Sequence, residues 1–216
     1  MRYEAVLFDL DGTLLDTLED LADSTNAVLE KRGFPRHPIP PYRYFVGDGV
    51  ANLFRRALPK DRRDEAIVTE CIDEMREEYG RRWADKTRPY DGVPEMLDAL
   101  VERGVRMAVL SNKPDDFTKL CVEKLLPGWT FEVVRGVRDD GKRKPDPAGA
   151  MDIAGQLEIP PAGFLYLGDT NTDMKTAVAA GMFPVGAIWG FREADELMAN
   201  GAKALIEKPM ELLDLF

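Results

Sequence analysis

Ala5-Val6-Leu7-Phe8-Asp9-Leu10-Asp11-Gly12-Thr13 is an apolar run that stops abruptly on two carboxylates and a glycine. Four consecutive apolar residues bounded by turn chemistry read as a strand buried on both faces, the kind that fills a parallel sheet. Asp9 and Asp11 stand two apart on extended backbone, so both point to one side, toward the crevice beyond the strand's carboxyl end where open α/β sheets bind ligands. Crowded acids repel unless a cation joins them. Mg2+, a hard ion held by oxygen ligands, answers that need, while a turn with two solvated acids is the competing reading.

Working outward, short apolar runs recur at 107–110, 131–134, 164–167, 185–188 and 204–206. Between them lie helix-period stretches: Val93, Met96, Leu97, Leu100 and Val101, opened by Pro94 and closed by Gly104, then Met174, Ala177 and Val178, closed by Gly181. Strand–helix alternation predicts an α/β fold, a Rossmann-like doubly wound parallel sheet. One interval departs from it. From about Leu18 to Thr87 only helix periodicity is present, with Leu18, Leu21, Ala22, Thr25, Val28 and Leu29 on one face and Ile67, Val68, Cys71, Ile72, Met75, Tyr79 and Trp83 on another. The expected organisation is a core of residues 1–15 and 88–216 with an inserted α-helical cap at 16–87, Asp16-Thr17 starting the hinge.

Composition narrows the partners. The 29 Lys and Arg set against 39 Asp and Glu leave a net charge of −10, which argues against a nucleic-acid backbone or an anionic membrane surface. The two cysteines, Cys71 and Cys121, sit in apolar-periodic segments and read as reduced core residues rather than a disulfide. The amino terminus leads straight into the first strand without signal-peptide character, and no apolar run is long enough for a membrane span. The cytoplasm is therefore the expected location.

Further strand ends carry chemistry. Ser111-Asn112-Lys113 follows the second core run, Gly168-Asp169-Thr170-Asn171-Thr172-Asp173 follows the fourth, and Lys144-Pro145 precedes a helix. Singly, each has a bland reading as a cap, loop acid or solvated charge. Together with Asp9-x-Asp11-Gly12-Thr13 they resemble, in order and over essentially the whole chain, the four motifs of the haloacid dehalogenase-like superfamily. The resemblance implies a phosphoryl-transfer enzyme with Mg2+ as cofactor. By that likeness Asp9 is the nucleophile, Asp11 the general acid and base, and Ser111, Asn112, Lys144 and Gly12 hold the phosphoryl group. Asp169, Asp9 and the Asp11 carbonyl hold the metal. Thr13 and Asp173 support, Asp173 either beside the metal or oriented toward Lys144. A carboxylate nucleophile makes chemical sense, because an acyl phosphate splits one difficult displacement into two. An acid at Asp11 favours an alkoxide leaving group, which needs a proton, over a halide, which does not.

Weaker motifs narrow the branch: Val46-Gly47-Asp48-Gly49, Pro89-Tyr90-Asp91-Gly92-Val93, Trp189-Gly190-Phe191-Arg192 and Gly201-Ala202-Lys203-Ala204 are similar to phosphoglycolate phosphatases. The implied substrate is a small phosphorylated metabolite, foremost 2-phosphoglycolate, with pyrophosphate, sugar phosphates and a β-phosphoglucomutase-like phosphomutase reaction as alternatives. Asp48 departs from the Asn common at that position and adds a negative charge. In the cap, Gly47 and Gly49 are candidates for close approach to substrate, and Arg43 and Arg55 for reading a carboxylate. Two decoys fail. Gly136 to Lys142 has most of a nucleotide-loop spacing, but Arg143, Pro145 and two acids spoil it; the lone His37, between prolines, reads as exposed.

Overall fold

A computed structural model describes residues 3–138 and 142–216, and the chain divides into two compact units, 1–15 with 89–216 and 16–88. In the first unit, β1 (Ala5–Phe8) lies fully buried on both faces, as four apolar residues in a row require. The chain leaves this unit through β2 (Leu15–Asp16).

The second unit contains α1 (Leu18–Lys31), α2 (Tyr42–Phe45), α3 (Val50–Ala57) and α4 (Glu65–Arg82). Ala22, Val28 and Leu29 of α1 and Val68, Cys71, Met75 and Tyr79 of α4 are buried, and Arg32 ties the pair by reaching Glu70 at 2.6 Å and Glu74 at 2.7 Å. His37 corrects its expected exposure: the ring is half-buried, its Nε2 lies 2.7 Å from the Ala57 carbonyl, and it meets Phe45 edge-on. A flanking pair of prolines does not imply solvent when an aromatic ring has a carbonyl and an apolar surface to join.

The chain returns through β3 (Arg88–Pro89), which pairs with β2. Then follow α5 (Val93–Glu102), β4 (Arg106–Pro114), α6 (Asp115–Leu125), β5 (Val133–Val137), α7 (Ala148–Gln156), β6 (Phe164–Gly168), α8 (Asn171–Ala180), β7 (Phe183–Ala187), α9 (Ala194–Ala199) and β8 (Ala204–Ile206). The sheet is parallel with order β5-β4-β1-β6-β7-β8. Phe8 stands opposite Val109 on one side and Leu167 on the other, so β1 and β6 end within a residue of each other while β4 runs on to Pro114. The connections leave β1 toward β5 and come back to β6, and that change of direction opens the crevice at the carboxyl edge.

Three boundaries differ from expectation. β4 continues through Ser111-Asn112-Lys113, β5 begins at Val133 while Phe131 packs edge-on against Phe8, and β7 ends before Ile188. Val101 and Val178, read as buried positions, are each 53% exposed, because a helix buries a narrower arc than their spacing assumed. Both cysteines are buried and neither forms a disulfide. Among the described residues no helix is long and apolar enough to cross a membrane. Within the Gly136–Lys142 stretch, residues 139–141 lie outside the described ones.

Candidate active site

Asp9 follows the last residue of β1 and is 5% exposed. Its Oδ1 accepts from the Leu10 N–H at 2.7 Å and meets Lys144 Nζ at 2.7 Å. Lys144, 4% exposed, also bonds Asp173 Oδ1 at 2.6 Å. Asn112 holds the lysine's backbone: its amide donates to the Lys144 carbonyl at 3.0 Å and accepts from the Lys144 N–H at 2.8 Å. A side-chain amide matches a peptide in both directions, so this pairing fixes a loop lysine against a strand. Ser111 Oγ accepts from the Lys113 N–H at 3.1 Å.

Asp11 pairs with Lys113, whose Nζ reaches its two oxygens at 2.8 and 3.1 Å. Sequence reasoning passed over Lys113; a lysine directly after Ser-Asn at a buried strand end was the available signal. Asp169 follows β6. Its Oδ1 accepts from Thr13 Oγ1 at 3.0 Å and its Oδ2 from the Phe191 N–H at 2.7 Å. Gly12 is required here twice over: its φ is +90°, and a Cβ would strike the Asp169 carboxylate.

Asp173 is saturated. Oδ1 accepts from Lys144 and, at 3.4 Å, from Tyr166 Oη, while Oδ2 accepts from the Thr170 N–H at 3.0 Å and Thr170 Oγ1 at 2.6 Å. Thr170 and Asp173 thereby form the capping box that starts α8. The Thr-x-x-Asp spacing announced that box, and it aims the carboxylate at Lys144.

Asp9, Asp169 and Asp173 offer oxygens within 4.8 Å of one another, all buried. Burial, then Asp173 and Asp169, push the Asp9 carboxyl well above the usual range against the pull of Lys144. Burial and Asp173 raise Asp169 to about 7. Burial lowers the Lys144 ammonium, but Asp173 and Asp9 more than offset it and hold the group well above an ordinary lysine. Three buried acids face the charges of Lys144 and, beside Asp169, Arg192, which leaves acids in excess, and an all-oxygen donor set fits a hard divalent cation. With Asp173 saturated, Asp9 and Asp169 are the carboxylates suited to hold it.

The second unit's candidates lie on its own elements. Gly47 and Gly49 have φ of +106° and +86°. Asp48 between them pairs with Arg56, so its charge is locally matched by a residue the sequence reading did not single out. Arg55 binds both oxygens of Glu65 and the Asn52 side chain. Arg43 is half-buried on α2.

A parallel sheet whose central strands deliver carboxylates, a hydroxyl and a lysine to one carboxyl edge defines a doubly wound α/β enzyme core. The haloacid dehalogenase-like hydrolase family matches over residues 6–187, and the chain belongs to that family. It is 34% identical over 207 residues to a phosphoglycolate phosphatase of Xylella fastidiosa, covering 94% of this chain and 89% of that one. A phosphoglycolate phosphatase of Xanthomonas campestris is 32% identical over 216 residues, covering 98% and 96%. The crystal structure of a Lactobacillus delbrueckii subsp. bulgaricus protein, provisionally assigned as a phosphoglycolate phosphatase, superimposes with a TM-score of 0.93 at 28% identity, covering 100% and 98%.

Proposed function

We propose that the protein is a Mg2+-dependent phosphoric monoester hydrolase that converts a small phosphate ester, foremost 2-phosphoglycolate, to its alcohol and phosphate. The observation that carries the reading is the pair of differently held acids: Asp9 buried and fixed by Lys144, Asp11 two residues on and fixed by Lys113. With Oδ1 of Asp9 held, Oδ2 attacks phosphorus, the ester P–O bond breaks, and Asp11 donates a proton to the departing alkoxide. Water then attacks the phosphoaspartate, Asp11 takes its proton, the P–O bond to Asp9 breaks, and phosphate leaves. Lys144, held by Asp173, and Ser111 stabilise the phosphoryl oxygens. Asp9, Asp169 and the Asp11 carbonyl would hold Mg2+, which would supply positive charge to the transferring group.

Substrate reading is assigned to the glycine turn at Gly47 and Gly49 with Arg43 and Arg55. The relatives named as phosphoglycolate phosphatases support the choice of ester. Phosphate release with Mg2+ from 2-phosphoglycolate, pyrophosphate, β-glucose 1-phosphate and glycerol phosphates, repeated with EDTA, tests the proposal. The expected result is the highest kcat/KM for 2-phosphoglycolate, abolished by EDTA. Preference for another ester overturns the substrate, and turnover insensitive to EDTA overturns the metal. Formation of glucose 6-phosphate from the glucose ester makes the protein a mutase.

A further inference from the structure

The segment that follows β7 reaches back to both halves of the site. Half-buried Trp189 donates its indole Nε1–H to the Thr13 carbonyl at 3.0 Å, and buried Phe191 donates its backbone N–H to Asp169 Oδ2 at 2.7 Å. Between them Gly190 approaches so closely that a Cβ there would collide with Asp169 and with the Gly12 carbonyl. The Phe191 ring and the Asp169 carboxylate together occupy the space a Cβ on Gly12 would need. Arg192, 5% exposed, pairs with Glu196 at 3.4 Å. Three consecutive residues, Trp189 to Phe191, therefore contact the loop after the nucleophile, the second carboxylate, or both, through groups that do no chemistry on phosphorus.

We propose that Trp189-Gly190-Phe191 is the positioning element of the cation side of the site. It fixes the separation between the nucleophile loop and Asp169, and so sets affinity for the divalent cation rather than for the phosphate ester. The inference rests on the proposed function only in taking Asp9 and Asp169 as the cation's ligands. Partners that orient metal ligands commonly change metal affinity by about 10–100-fold when altered. A glycine whose neighbours are a short carboxylate and a backbone carbonyl cannot relieve a methyl group by side-chain rotation.

The test is Mg2+ titration by calorimetry into the substrate-free protein, with thermal unfolding of each variant. Gly190→Ala is expected to weaken Mg2+ binding by about 10–100-fold. Trp189→Phe, which keeps a ring and removes the N–H, is expected to weaken it several-fold, and at saturating Mg2+ its KM for the ester stays at the wild-type value. Gly186→Ala is the steric control, since a Cβ there meets the Leu205 and Leu197 side chains in the core; it is expected to lower Tm without moving the Mg2+ Kd. A folded Gly190→Ala protein with wild-type affinity, an equal loss of affinity in Gly186→Ala, or wild-type protein that binds no Mg2+ overturns the proposal. If Gly190→Ala does not fold, Trp189→Phe decides alone, and an unchanged Kd overturns it. Wild-type protein that binds Mg2+ yet hydrolyses no ester removes the phosphatase reading and leaves the Kd comparison standing.

Discussion

Two aspartates two residues apart end up in different surroundings, and that difference assigns their work. Asp9 is locked between the Leu10 N–H and Lys144, while Asp11 is directed by Lys113. Asp9→Asn removes the nucleophile and one member of a crowded set of acids. It is expected to cut kcat by at least about 1,000-fold while Tm holds or rises, with turnover and thermal unfolding as the checks. Substantial residual turnover would contradict the assignment. Lys113→Met leaves Asp11 in place without its guide. A misplacement of about 1 Å in a reacting group costs about 100-fold, so kcat is expected to fall about 10–100-fold with little change in KM, and Lys113→Arg should recover part of it. Equal losses in both variants would mean that Lys113 acts in some way other than directing Asp11.

At the scale of elements, the start of α1 is tied to the segment that returns from the helical unit. Asp20, 1% exposed, accepts from the Lys86 N–H at 3.0 Å and from the Thr87 N–H and Oγ1 at 2.8 and 2.7 Å. An ionised acceptor bonded to backbone donors is stronger than a neutral one, and Asp20→Ala also strands those donors. The expected cost is about 2–4 kcal/mol, read by urea unfolding. A loss below about 0.5 kcal/mol would show that the tie carries no weight. The same nonlocality hid part of β4. The apolar run stops at Leu110, yet polar Ser111, Asn112 and Lys113 continue the strand, whose pairing with β5 resumes at Pro114 opposite Val137; there Asn112 pairs with the Lys144 peptide and Lys113 with Asp11. No local pattern encodes a partner 32 residues ahead or 102 behind.

The whole molecule carries an excess of acid on its surface and within its site, and its stability should register the second. An aspartyl carboxyl in an unfolded chain titrates near about 3.9, whereas that of Asp169 titrates at about 7 in the fold. Between those values the folded chain keeps a proton that the unfolded chain has released. The stability linked to Asp169 is thus present at low pH and lost as pH rises through the window. Cation-free protein is expected to show a falling Tm contribution from about pH 4 to 7, and Mg2+ should raise Tm more at the top of that window than at the bottom. A Mg2+ effect independent of pH would contradict a cation site built on Asp169.

The sequence by itself determined the sheet and most of its strands, because fully buried parallel strands need unbroken apolar runs and such runs are visible without neighbours. It also determined the two acids after β1 and the helical interval, since periodicity is local. Tertiary structure decided who holds whom. Asn112 grips the Lys144 backbone, Asp173 is committed to Lys144, Arg56 matches Asp48, and the Phe191 N–H bonds Asp169. Each of these is a pairing between residues that the chain brings together only on folding, and the strength of a polar group buried there depends on its partner rather than on its place in the sequence.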